Sequence, residues 1–287
     1  MIRERTIRIE GRGVEVATVT FDGLDELAAW YPANASLKTS PGVMRCLLHG
    51  DATLVPRADR MLDAVETIVF EADSKAVTER AVTGSLADVP AYLAGVPMAM
   101  RRRVKREAPA PLAIVVDVTT SGGIGSSVIE RRGVATLALL RKLQAAGHPV
   151  ELFIGMAMQP VAGQTRTTVM SAVRMDTQPL DLSRTCWALT DPAFQREIMF
   201  GTAYALARTP EERQGYIAWP WAGKRWHGDA AAQREAYGAL LGLDPARAVV
   251  IPSVHLSRNP EFENDEAAVS WVNAEYAKAV ELAKEEY

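Results

Sequence analysis

Asp117, Thr119 and Ser121 stand in the run Val116-Asp117-Val118-Thr119-Thr120-Ser121-Gly122-Gly123, an acid followed at spacings of two and four by hydroxyls. Alternate residues of an extended chain share a face, so the three side chains can converge. One carboxylate with neutral hydroxyls is a hard-oxygen donor set that leaves positions for water. That set suits Mg2+ or Mn2+ better than a softer metal. A single carboxylate also leaves a net positive field around a divalent ion, which favours an acidic group from a partner. The plainer reading is turn chemistry, in which Asp, Ser and Thr oxygens bond nearby amides.

The elements that position this run are legible around it. Leu112-Ala113-Ile114-Val115-Val116 is a short continuous apolar run, the pattern of a strand buried on both faces of a parallel sheet. A helix over about 128–146 follows, with Val134, Leu137, Leu140 and Leu143 on one face and Glu130, Arg131, Arg141 and Lys142 on the other. Gly147 and Pro149 end it, and Val150–Gly155 reads as the next strand. Strand, helix and strand in this order make a right-handed βαβ unit. Ligand sites in such sheets lie at the carboxyl ends of strands, where Asp117 falls. Further along, 165–175 alternates as a strand, 181–208 reads as helix in two pieces, Ala246–Val254 as a buried strand and 265–286 as a helix.

Ahead of that unit, Thr6–Glu10 and Val14–Val19 alternate as strands. Helices are expected over 23–30 and 57–68, a strand over Val77–Val82, and a helical turn over 90–94 ending at Gly95. Residues 101–107 carry five basic groups in seven positions and run into Ala108-Pro109-Ala110-Pro111. A charge run followed by alternating prolines reads as a linker. The expected layout is therefore an α+β region over 1–107 and an α/β domain over 108–287 with a doubly wound, mostly parallel sheet.

Asp117-x-Thr119-x-Ser121, directly after a buried strand and before a helix and second strand, resembles the metal-ion-dependent adhesion site of von Willebrand factor A domains. The family begins that site with Asp-x-Ser-x-Ser, and Thr119 replaces its first Ser. The resemblance covers roughly 112–155. It implies an A-type α/β fold, a bound Mg2+ or Mn2+, and a non-enzymatic role in which a protein partner supplies an acidic group. Family members add a Thr and an Asp from later loops; Asp191 in Thr190-Asp191-Pro192 is the nearest match and Asp181 another candidate. Asp191 also reads as a helix cap before Pro192. Such proteins often work beside AAA+ ATPases, which makes one an implied partner. Asp88–Pro97 and the helix start Asp191-Pro192-Ala193-Phe194 look similar to uncharacterised phage and prophage proteins, so an assembly or structural component with a metal-free relic of the site is an alternative.

Two other stretches offer a nucleic-acid reading. Arg101, Arg102, Arg103, Lys105 and Arg106 could meet phosphates, and Trp219, Trp221, Lys224, Arg225 and Trp226 interleave aromatics with cations as base-stacking surfaces do. The net charge of −3 favours a solvated linker for the first, and the second reads equally as a loop pinned to the body by buried indoles. Ser121-Gly122-Gly123-Ile124-Gly125-Ser126 before a helix could face a phosphate, but it has neither a GxGxxG register nor a P-loop ending.

With 287 residues, 48% hydrophobic and 23% charged, the chain has the composition of a globular protein. Cys46 and Cys186 form no CxxC, and His49, His148, His227 and His255 form no HExxH. No nucleophile elbow or catalytic triad stands in a local motif, so no enzyme is expected. The charged start has no apolar leader, and no apolar run reaches the roughly 18–20 residues of a membrane span. A cytoplasmic protein with reduced thiols is the expectation.

Overall fold

The computed structural model describes residues 2–9, 14–35, 37–56, 59–60, 78–83, 86–103, 112–120, 123–158, 168–177, 179–206, 230–244, 247–254 and 260–284. Strands β1 (Arg3–Ile9), β2 (Val14–Phe21), β6 (Leu112–Asp117), β7 (Val150–Met158), β8 (Thr168–Met175) and β9 (Ala248–Ile251) form one sheet in the order β1-β2-β8-β7-β6-β9. β6 runs parallel to both of its neighbours, β7 and β9, and β2 runs parallel to β8. The β7–β8 and β1–β2 pairs are antiparallel. With helices on its faces, this is the mixed α/β architecture expected.

Alternation along β6 explains why the strand is apolar throughout. Leu112, Ile114 and Val116 join the larger core, against helices α1 (Leu24–Asn34), α2 (Pro41–His49), α4 (Ser126–Ala145) and α5 (Leu182–Thr190). Ala113 and Val115 join a second core on the opposite face, against helix α7 (Ala230–Leu241). That second face is lined by small residues, including Ala113, Ala157, Ala172 and Ala248, so α7 packs close to the strands.

Helix α4 ends as its sequence suggests. Gly147 takes φ 87°, its N–H donates to the Gln144 carbonyl, and the His148 N–H donates to the Leu143 carbonyl. This is the paired C-terminal closure that glycine permits. Gly133, within α4, lets the helix meet α5, because a Cβ there would stand 2.5 Å from the Leu189 carbonyl oxygen. The polar face of α4 is covered rather than open. Lys142 is buried beneath the last helix, α8 (Asp265–Lys284), where its Nζ donates to Asn273 Oδ1 at 2.6 Å and lies 4.5 Å from the centre of the Tyr276 ring. Arg131 donates to Asp265 Oδ1 and to the carbonyls of Phe262 and Glu263.

Residues 181–206 form α5, then a π-helical turn (Phe194–Met199) that runs into α6 (Phe200–Leu206). The first core here holds Trp187, whose ring packs edge-on against Phe194 with centroids 5.4 Å apart.

Two expectations for the N-terminal region are corrected. First, β2 is hydrogen-bonded to β8, and Ala17, Val19 and Phe21 share a core with Leu112 and Ile114. Position 108 is therefore no boundary between separate cores. Second, Arg101, Arg102 and Arg103 are not linker. They lie in β5 (Met100–Arg103), the middle strand of a small sheet ordered β3-β5-β4, with β3 (Thr78–Ala81) and β4 (Leu86–Ala87) at its edges. Arg102 stands opposite Glu79 in the register. Backbone pairing is indifferent to side-chain charge, so a basic run can serve as a strand wherever two partners are present. The short helix α3 (Val89–Leu93) adjoins this sheet, capped by Asp88 Oδ1 accepting from the Ala91 N–H and followed by Gly95 at φ 72°. Lys105, Arg106 and most of the helix expected over 57–68 lie outside the described residues.

Candidate functional site

β6 lies where the strand order turns: the chain continues to β7 on one side, while β9 lies on the other. Asp117, the last residue of β6, is thus at the carboxyl-end crevice of a topological switch point. Its place in the alternation is shared with Ala113 and Val115, which face α7. Asp117 is 1% exposed, and its Oδ1 accepts the Thr119 backbone N–H at 2.8 Å, an Asx-type closure that turns the chain out of the strand.

The residues gathered around Asp117 come from four elements. Thr119 follows it on the same face, and its buried Oγ1 lies near enough to the carboxylate to bias its proton but makes no well-formed hydrogen bond. Tyr237 arrives from α7 and is fully buried. Gly155, opposite Asp117 in the β6–β7 register, admits the Tyr237 ring, since a Cβ there would overlap Tyr237 Cε1. The Tyr237 hydroxyl sits near enough to the carboxylate to bias its proton but makes no well-formed hydrogen bond. From the opposite face, Arg132 of α4 donates from Nη1 to the Asp117 backbone carbonyl at 3.1 Å. Arg132 is 1% exposed, and its Nε has no partner.

Burial dominates the electrostatics. It pushes the Asp117 carboxyl up to about 6, against the neighbouring Thr119 hydroxyl and amide, the Tyr237 hydroxyl and the Arg132 charge, all of which pull it down. Burial brings the Arg132 guanidinium down to about 10, which leaves it charged at neutral pH. The Tyr237 phenol is pushed well above its usual value by burial and by the Asp117 charge, so it stays protonated.

The segment after Asp117 is stitched to its surroundings. The Thr119 carbonyl accepts the Val254 N–H at 3.1 Å, and Thr120 forms a parallel bridge with Val254 beyond β9. Thr120 also bonds through its Oγ1 and its carbonyl to the Gln195 side chain of the π-helical turn.

Of the expected site residues, the structure brings Asp117 and Thr119 together, while Ser121 lies outside the described residues. Asp181 and Asp191 are engaged as helix caps. Asp181 Oδ1 accepts the Arg184 N–H. Asp191 accepts the Ala193 N–H through Oδ1 and the Trp187 indole N–H through Oδ2. Trp219, Trp221, Lys224, Arg225 and Trp226 lie outside the described residues.

Sequence reasoning missed Arg132 and Tyr237. Arg132 did carry a signal, because it falls on the helical stripe with Ile129, Thr136 and Leu140, where a charge is out of place. Tyr237 carried none. A hollow of about 510 Å3 beside His148 and Thr177 is at the other end of β7 and lacks a charged lining.

One carboxylate and one buried hydroxyl are hard-oxygen groups of the kind divalent cations take as ligands. The guanidinium beneath them is the feature that a cation would meet unfavourably. Among the described residues, no group of three or more His, Cys, Asp or Glu is placed to hold a metal. No helix is long and apolar enough to cross a membrane among those residues.

Fold and site together define a mixed α/β protein with a buried acid–hydroxyl cluster at the switch point of a six-stranded sheet. Residues 29–285 match the family model described as Domain of unknown function (DUF7192), and the chain belongs to that family. No curated protein and no solved structure matches it.

Proposed function

We propose that the chain is a non-enzymatic interaction protein of von Willebrand factor A type, which binds an acidic group of a protein partner through a divalent cation at Asp117 and Thr119. The observation that carries this reading is the Asp117 carboxylate and the Thr119 hydroxyl buried on one face, where the hydroxyl lies close enough to act on the carboxyl but makes no well-formed hydrogen bond. A buried hydroxyl left unpaired costs stability and calls for an ion, a water or a ligand group. When bound, Mg2+ or Mn2+ would supply an electrophilic centre for the partner's carboxylate. Asp117 would hold it by charge and Thr119 by a neutral oxygen. The Asx-type bond from the Thr119 N–H orients the carboxylate. Tyr237, protonated, offers an O–H toward the same group.

Thermal melting of the full chain in acetate, which stands in for the partner's acid, tests this reading. Saturating Mn2+ or Mg2+ should raise the wild-type melting temperature by several degrees over EDTA, as a ligand at about 100 times its Kd stabilises by about 2.7 kcal/mol. Asp117→Ala should remove that response. Equal melting with ion and with EDTA in both proteins would refute the cation site.

A further inference from the structure

Among the described residues, seven large hydrophobic side chains are exposed, and five of them fall between 82 and 98. Val82, Tyr92 and Leu93 project furthest, with Val89 and Met98 the other two. Four of the five lie on the link between β4 and β5, which closes where the Asp88 N–H donates to the Ala99 carbonyl at 2.8 Å. The sheet behind this link is basic. Arg80 stands opposite Arg101, and Arg103, two positions on, shares that face of the pleat and stands opposite Thr78. Leu86 is the residue opposite Arg101 on the other side. No acid occupies these register positions, since Glu79 stands opposite Arg102 on the other face. Like charges placed directly opposite destabilise a strand pair, so this face gains from negative charge brought from outside.

We propose that the small sheet and α3 form a contact for an anionic lipid surface, in which the apolar link enters the headgroup boundary and the headgroups supply the charge that the arginine face lacks. A bilayer rewards both features of this surface. Apolar side chains gain by burial at the boundary. Each Lys or Arg near an anionic leaflet strengthens binding about fivefold. A nucleic acid would reward the arginines, but stacking platforms for bases are aromatic, and Tyr92 is the one aromatic residue among the five exposed. A protein partner would need an acid-rimmed pocket shaped to side chains that project this far, whereas a bilayer needs no matched shape. The proposal is independent of the cation reading of Asp117, which lies in the other sheet.

The test is co-sedimentation of the full chain with vesicles of phosphatidylcholine alone, or of phosphatidylcholine and phosphatidylserine in equal parts. Wild type should bind the anionic vesicles at least about tenfold more tightly than the neutral ones. Raising salt from about 0.1 M to about 1 M, which shortens the screening length from about 10 Å to about 3 Å, should remove most of that difference. Arg101→Ser with Arg103→Ser should weaken anionic binding about 25-fold, two steps of about fivefold. Tyr92→Ser with Leu93→Ser, which leaves every charge in place, should weaken it at least about tenfold. Should the arginine variant fail to fold, the two lipids, the salt series and the Tyr92/Leu93 variant still decide the matter. Equal pelleting with and without anionic vesicles would overturn the proposal. So would anionic binding that the Tyr92/Leu93 variant retains in full, with single-stranded RNA bound as tightly, because the surface would then be one for nucleic acid. An oligomer in sedimentation velocity that the Tyr92/Leu93 variant reduces to monomer would also overturn it, with a second copy of the chain as the occupant.

Discussion

Two sheets among the described residues have very different neighbours. The six-stranded sheet has helices on both faces, and every residue of β6 from Leu112 to Asp117 is buried. The three-stranded sheet and its short helix α3 leave Val82, Tyr92 and Leu93 75%, 73% and 79% exposed. Both contain strongly charged or apolar sequence, so composition does not separate them. Among the described residues the difference is geometric: helices lie on both faces of the six strands, whereas the helix adjoining the three is only five residues long. A buried acid can be held in place only where the surroundings are this closed, which is why the candidate site lies in the large sheet.

That contrast can be attacked by substitution. Trp187→Ala should have the largest effect, a loss of about 3–5 kcal/mol in urea unfolding, because the indole is fully buried against Phe194. A loss below about 1 kcal/mol would mean that this core is far looser than its packing implies.

Asp117→Asn should act in the opposite direction. The folded-state carboxyl sits at about 6 against an ordinary 3.8, so the folded chain holds this proton more tightly than the unfolded chain does. The group's contribution is therefore most favourable below about pH 4, declines as pH rises through about 6, and stays flat above that. In EDTA near pH 8, the Asn variant should be more stable than wild type by up to about 3 kcal/mol, with a smaller decline between pH 4 and 6. Unfolding curves across that range read the sign directly, and a wild type that gains stability between pH 4 and 6 relative to the variant would contradict it.

Leu93→Ser, on the exposed helix of the small sheet, should change stability by no more than about 0.5 kcal/mol. A larger loss would mean that the exposed face is covered in solution.

The contrast also marks what could be read from sequence. The β6–α4–β7 unit was legible because its signals are local: an unbroken apolar run, a helical stripe, then Gly147 and Pro149. The pairing of β2 with β8 was not, since Val16 meets Thr168 across some 150 residues and alternation names no partner. The basic run at 101–103 misled because charge and proline suggested a linker, while the backbone found strands on both sides. Within the site, Asp117 and Thr119 followed from spacing alone. The approach of Tyr237 depends on Gly155 and on a face of alanines, which becomes meaningful only once α7 is known to lie there.

The stitching of residues 118–120 bears on how quickly anything could bind. Their backbone is tied to Val254 on one side and to Gln195 on the other, so the segment is ordered before an encounter. Folding has already removed the conformational freedom that a loose loop would lose on association. With Asp117 1% exposed, the slow step for anything reaching its carboxylate would be the parting of the groups that cover it, not the ordering of this segment.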